Sequence, residues 1–469
     1  MKSLKTLALS ALVLSGASLA SAQTVVRIVA SNGDRTATQT AISNLLDAGW
    51  KFQGISGNAT SANLSVATGA NFGAWNGTYA GGQIIIKVSF SGALAGIAAV
   101  AGNLDQRFVS TDGTGTGTVP NPLTSTNQSD YEVAKADFGF STNFQSTSPF
   151  SGTFQGVTYS TVTEEIVGVS PLGFYASPGY PGSPVNPHGA GYESGTYKPN
   201  ITTQLAYLLY NTGSVSLAQL TGDYTVGVGD PTDHRLHRVY AIGRNTDAGQ
   251  RFGAYTEVGL GTTTNVTVWF PTVSGATTAS GITYGGTVTS HQLWPVNQQP
   301  GTFAVPLGGG GYNSGANLAA ALTVALTEPA YKGNYLDENN QPQQLFPTAQ
   351  GGYYIGYLTP GDANNRVLGQ SNVVPAASRG VSLRYNGVEL TDANVRNGTY
   401  TAWLYNRILK PQTGLTGTKL TFANALRDRI RDFDAPSGGG LFNDASFLVR
   451  RFTDGGIVTP KPASLVPAP

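Results

Sequence analysis

Apolar and polar positions along this chain fall into a recurring unit: a short apolar strand, a turn of small polar residues, then apolar residues at helical spacing. Val25-Val26-Arg27-Ile28-Val29 runs into Ser31-Asn32-Gly33-Asp34-Arg35, after which Ala37, Ala41, Ile42, Leu45 and Leu46 share one helical face. Ile84-Ile85-Ile86-Lys87-Val88 reads as a buried strand that ends at Phe90-Ser91-Gly92, with Leu94, Ile97 and Val100 continuing as a helix. Ala136 to Phe140 is a shorter strand ending in Ser141-Thr142-Asn143, and Val239-Tyr240-Ala241-Ile242 enters the segment Gly243-Arg244 through Ala248-Gly249-Gln250-Arg251. The repetition is of architecture, not of sequence, and predicts an α/β sheet whose strand ends converge on one crevice. A helix N-terminus exposes unpaired N–H groups and the positive end of its dipole, so such turns can receive an anion. Taken singly, a Ser or Gly after a strand makes only a turn or an N-cap.

The remaining pattern divides a chain of 469 residues into lobes, as expected for a length well beyond one core. Glu165 to Val169 reads as a strand leading to a crossover near Pro171 and a Gly/Pro/Tyr-rich insertion, 176–199. A helix over Thr202 to Tyr210, the Gly243 to Leu260 unit, the Gly308 to Gly311 loop with a helix over Ala316 to Leu326, and a strand over Tyr353 to Leu358 follow. The chain returns near Tyr400 to Tyr405. It ends with an amphipathic helix carrying Phe422, Leu426, Ile430 and Phe433, and a loose tail over 460–469. The expected division is 23–170 with 395–469 as a discontinuous first lobe and 171–394 as the second.

Charge and composition narrow the function. Twenty-seven Lys and Arg against 26 Asp and Glu give a net charge of +1, which removes the usual electrostatic reason to bind nucleic acid or an anionic membrane. Lys2 and Lys5 precede the apolar run Leu7 to Leu14, and Ala20-Ser21-Ala22 offers a cleavage site, so residues 1–22 read as a secretory signal peptide cleaved after Ala22. No other run approaches the roughly 18 apolar residues of a spanning helix. The mature chain is therefore expected in the periplasm or secreted, without membrane insertion. It has no Cys for a disulfide, a lipid anchor or a thiolate metal site. The sequons at Asn76 and Asn397 follow from the Asn/Thr-rich composition.

Catalytic signatures are absent from the sequence: it has no G-x-S-x-G elbow, no P-loop and no H-E-x-x-H. His234 and His237 are spaced to share a helix face but have no third ligand, and read as a surface turn. Glu164 and Glu165 are adjacent in a strand and point to opposite faces, which disfavours joint acid–base work. We expect no enzyme, no metal and no cofactor.

The order of segments resembles the phosphate-binding proteins of ABC transporters, which have the type 2 periplasmic-binding fold. The matching elements are Val29-Ala30-Ser31-Asn32-Gly33-Asp34-Arg35, Phe90-Ser91-Gly92, Asp137 to Thr142, Gly243-Arg244 through Gly249-Gln250-Arg251, Ile355-Gly356-Tyr357, Leu383 to Val388, and Asn397 to Tyr400. The resemblance implies two α/β lobes joined by hinge strands and closing on an oxyanion. Its ligand residues would be Ser31, Asn32, Gly33, Asp34 and Arg35, then Ser91 and Ser141 or Thr142, with Arg244, Ala248, Gly249 and Gln250 from the second lobe. The family's Ser-Gly-Thr becomes Ala248-Gly249-Gln250, its acidic residue after the third strand becomes Thr142, and Asp34 sets a negative charge near the anion. Each lost charge-assisted bond costs roughly 1.5 to 3 kcal/mol unless replaced, and Arg35, Arg244 and Arg251 are candidates to replace it. The implied function is capture of a small anion, phosphate first, for uptake through an ABC permease or for sensing. The alternative is a surface or matrix scaffold that keeps the fold without the ligand and fills the cleft with Asp34–Arg pairs.

Overall fold

A computed structural model describes residues 23–462 except 184–198, 225–233, 236, 263, 296–304, 327–334, 337–341, 344–351 and 435–440. The leader, most of the 176–199 insertion and the end of the tail lie outside the described residues. Two sheets organise the chain. The first has eight strands in the order Val162–Pro171, Trp403–Pro411, Phe138–Ser141, Thr24–Val29, Gly82–Ser89, Phe72–Tyr79, Lys51–Gly54 and Gly57–Ala59. Thr24–Val29 is its parallel centre, paired with Gly82–Ser89 on one side and Phe138–Ser141 on the other. Strands buried on both faces read as continuous apolar runs rather than alternating ones, and Val26, Ile28, Ile84, Ile86 and Val88 are all essentially inaccessible. The helices Arg35–Leu45 and Gly417–Arg429 cover one face, where Ile42, Phe422 and Leu426 join the strand side chains in one core. The Ala93–Ala101 helix lies close against the sheet, because Gly96 has no side chain: a Cβ there would sit 2.4 Å from the Phe140 carbonyl oxygen.

The second sheet has six strands, Asn200–Ile201, Val381–Tyr385, Gly173–Ala176, Gly352–Leu358, Arg238–Ala241 and Ser214–Ser216. Arg238–Ala241 and Gly352–Leu358 run parallel, with Gly173–Ala176 antiparallel beside them. Tyr210, Tyr255 and Tyr357 stack between one face and its helices with ring centroids 5.3 to 5.6 Å apart. Two strands connect the sheets. Val162–Pro171 passes through Leu172 into Gly173–Ala176, and Trp403–Pro411 runs back beside it, from Pro171 opposite Trp403 to Val162 opposite Pro411, with a bulge at Val167.

Several elements differ from the sequence reading. The Ala316 to Leu326 helix is Gly315–Ala321, ending at a turn, and Gly417–Arg429 widens into a π-helical turn over Ile430–Asp434. His234 and His237, read as a surface turn, are each only 2% exposed; Thr221 Oγ1 lies 2.9 Å from His234 Nδ1. The segment 441–461 straddles both sheets rather than joining the first alone. Phe442 bridges Val169, Phe447 and Val449 pack on the core of the six-stranded sheet, and Asp454 accepts from the Phe144 amide at 2.9 Å. No helix among the described residues is long and apolar enough to cross a membrane.

Candidate functional site

The parallel strands of both sheets point their C-terminal ends at a shared cleft of 440 Å³. From the first sheet the turn after Thr24–Val29 brings Ser31, Asn32, Gly33 and Arg35, and the turn after Phe138–Ser141 brings Thr142. From the second, Arg244 follows Arg238–Ala241, and Ala248, Gly249 and Gln250 open the Gly249–Glu257 helix. Ala248 gives that helix no side-chain cap, so its first amides keep the exposed N–H groups that suit an anion. Ser31 Oγ accepts from the Gly33 amide at 3.1 Å; its own proton remains available to a ligand oxygen.

The cleft wall carries two arginines and one carboxylate. Arg244 is held by its backbone surroundings: Nε donates to the Tyr312 carbonyl at 3.0 Å, Nη2 to that of Asn313 at 3.3 Å, and Nη1 to Gln250 Oε1. Arg35 Nε donates to the Thr68 carbonyl at 3.0 Å and Nη1 to Asn71 Oδ1. Burial lowers the pKa of both guanidiniums, and Asp362, on the opposite wall from Arg35, pulls each back up. With five donors per guanidinium, each arginine retains N–H groups for an oxyanion.

Asp34 does not line the cleft. Its carboxylate turns beneath the turn, 1% exposed, where Oδ1 accepts from Asn406 Nδ2 and Oδ2 has no partner. Asn406 Oδ1 in turn accepts from Ser170 Oγ at 2.8 Å. Burial pushes the Asp34 carboxyl up to about 7, against the lowering pull of the Asn406 bond and the nearby Arg407 charge. Arg407 is itself buried, 3.2 Å over the Phe144 ring, with Glu164 Oε2 3.6 Å from Nε; burial lowers its pKa against the opposing pull of Asp454 and Glu164. Acid 34 thus belongs to a buried network on the returning connection strand, not to an ion pair filling the cleft.

Three other expected ligands sit off the wall. Ser141 is fully buried, its Oγ accepting from the Asn143 amide at 3.1 Å. Ser91 Oγ is a buried hydroxyl without a hydrogen-bond partner among the described residues. Arg251 faces away, donating at 2.8 to 3.0 Å to the carbonyls of Arg244, Gly309 and Gly310, where it fixes the glycine loop. The wall also includes groups that the sequence reading did not name, among them Asn71, Ser170, Ser314, Thr359 and Asp362. Ser314 and Thr359 follow the same rule as the turns that were found, a small hydroxyl residue opening a helix; the Thr359-Pro360 step after the Tyr353 to Leu358 run was a legible helix start.

The lobes already touch at one edge of the cleft. A Cβ on Gly249 would lie 1.7 Å from Thr142 Oγ1, and Asn143 Nδ2 donates to the Gly249 carbonyl at 3.4 Å. Beside it the Leu94 amide donates to the Asp247 carbonyl at 3.4 Å.

Two α/β lobes joined by paired antiparallel strands, with a polar cleft at the strand ends, are the arrangement that the resemblance to the type 2 periplasmic-binding fold implies. Among solved structures the chain is similar to an ABC-type phosphate transport receptor from Vibrio cholerae, with 10% identity, a TM-score of 0.41, and coverage of 89% of this chain and 99% of that one. It is likewise similar to PstS from Borrelia burgdorferi, at 10% identity and a TM-score of 0.35, covering 90% and 99%. No family model and no curated protein sequence matches the chain.

Proposed function

We propose that this chain is an exported solute-binding protein without catalytic activity, which captures a small oxyanion, phosphate first, between lobes 23–170 with 395–469 and 171–394. The carrying observation is that one cleft gathers Ser31, Asn32, Gly33, Arg35, Thr142, Arg244, Ala248, Gly249 and Gln250 from both sheets. Arg35 and Arg244 against Asp362 leave a net charge of +1 on the wall, the sign an anion requires. Arg244 would supply the charge, the Gly249 and Gln250 amides the helix dipole, and Ser31 and Thr142 the hydroxyl donors. Delivery to an ABC permease follows as the partner reading. The test is isothermal titration of residues 23–469 with phosphate and sulfate, beside Arg244→Ala. Saturable heat that falls at least tenfold in affinity in the variant supports the reading; no heat with either oxyanion from folded protein overturns it.

One observation favours the scaffold alternative. Arg451 holds Glu257 Oε2 at 2.9 Å while Asp454, three residues on, holds the Phe144 amide, so a short terminal segment ties the lobes together. A binder must still open. Small-angle scattering with and without phosphate separates the two: a ligand-dependent change in radius marks hinge closure, and none marks a fixed scaffold.

A further inference from the structure

A second cavity, of 610 Å³, lies against a different face of the Pro360–Arg366 helix from the one that lines the cleft. Asp362 and Asn365 face the cleft, whereas Pro360, Asn364 and Leu368 face this cavity. Its other walls are the connection at Pro171, the strand residues Tyr175, Ser382 and Arg384, and the turn at 389–395. The volume falls within the roughly 300 to 1,000 Å³ usual for small-molecule sites.

Tyr175 is the pointed feature. It is 1% exposed, it lines the cavity, and burial raises its pKa. The ring lies along its own strand over Gly173, where a Cβ would come within 2.6 Å of the hydroxyl. Glycine at 173 therefore leaves room for the phenol oxygen, which a side chain there would displace, on a residue of the cavity wall.

The geometry points to a second ligand site here, for a neutral polyhydroxylated molecule of the saccharide class. The charges argue against an anion: Arg384 is faced by Glu389 at 3.7 Å, and Asp392 adds a further negative charge on the same wall. The uncharged polar groups on the wall, Tyr175, Ser382, Asn364 and Gln370, can each donate and accept. Hydroxyls of a sugar do both as well. Between these groups, Pro171, Leu368, Leu390 and Phe442 offer apolar surface for the C–H faces of a pyranose.

A free sugar and a segment of a glycan chain present the same chemistry, so glucose and maltohexaose serve as the two probes, titrated into residues 23–469 and followed by saturation-transfer NMR. The expected result is saturable binding of at least one. Tyr175→Phe, which keeps the ring, should weaken it about tenfold, as should Asn364→Ala. Arg244→Ala should leave it unchanged. Absence of binding by both probes to protein that is folded by near-ultraviolet circular dichroism overturns the inference. So does binding that survives both cavity variants, or binding that Arg244→Ala abolishes, since either would place the sugar elsewhere.

Discussion

Replacing Asp34 by Asn should remove a pH dependence that the wild-type protein carries between about pH 4 and 7. The Asp34 carboxyl is pushed from its ordinary 3.8 to about 7 because it is buried under the first cleft turn with one oxygen unpartnered. A raised acid pKa means that the folded state binds the proton more tightly than the unfolded chain. Between 3.8 and about 7 the unfolded chain is ionised at this position and the folded chain is not, so stability falls as pH rises, by about 1.4 kcal/mol per pH unit. Above 7 both states are ionised and the loss levels off at roughly 4 kcal/mol. Asn keeps the acceptor that faces Asn406 and cannot ionise. Urea unfolding at pH 5, 6, 7 and 8 gives the comparison, and the difference between the two curves isolates Asp34 from Glu164, Glu257 and Asp454, whose pKa values burial also raises. Asp34→Asn should gain on the wild type steadily up to pH 7 and then run parallel to it. A constant difference over the whole range would refute the assignment.

Gly249→Ala places a methyl 1.7 Å from Thr142 Oγ1 and 2.8 Å from the Ala93 side chain, both across the cleft. It should separate the lobes, raise the radius of gyration by scattering, and cost about 1 to 3 kcal/mol if they stay together. Arg451→Ala leaves Glu257, 8% exposed at its side chain, without its charged partner and with only the Thr401 hydroxyl as a side-chain donor among the described residues. A loss of about 3 to 5 kcal/mol in chemical denaturation is expected; an unchanged midpoint would show the terminal segment to be dispensable. Asp362→Asn removes the carboxylate that shares the cleft wall with Arg35 and Arg244. Titration should then show phosphate bound about fivefold tighter, on the order of 1 kcal/mol, and weaker binding would mean that Asp362 accepts a proton from the ligand.

The sequence was most legible where one rule governed a whole element. Thr24–Val29, Gly82–Ser89 and Gly352–Leu358 carry the apolar runs Val25-Val26, Ile28-Val29, Ile84 to Ile86 and Tyr353 to Leu358 because most of each strand is covered, and their turns carry the small polar residues that strand ends require. Side-chain direction was less legible. Asp34, Arg35 and Arg251 all belong to the polar segments where a strand gives way to a helix, but only Arg35 reaches the cleft. Asp34 is drawn beneath it by Asn406 and Arg251 by three loop carbonyls, partners 372 and 58 or more residues distant in sequence for the former and the glycine loop. The short hairpins, such as Lys51–Gly54 with Gly57–Ala59, left too little alternation to be seen. Asp362 was missed because its place on the wall depends on Gly315, whose missing side chain lets the carboxylate approach.

The Trp403–Pro411 strand lies inside the eight-stranded sheet, between Val162–Pro171 and Phe138–Ser141, although it is made more than 230 residues after the first of these. Among the described residues Val162–Pro171 has no other strand partner in that sheet. During synthesis the first half of the chain must therefore wait with an unpaired edge while the entire six-stranded sheet is produced, and only then can Ile408 reach Phe140. Closing so long a loop is slow and leaves strand edges open to wrong pairing. The six-stranded sheet can form first and bring the two ends of that loop together, so assembly should proceed from the middle of the chain outward.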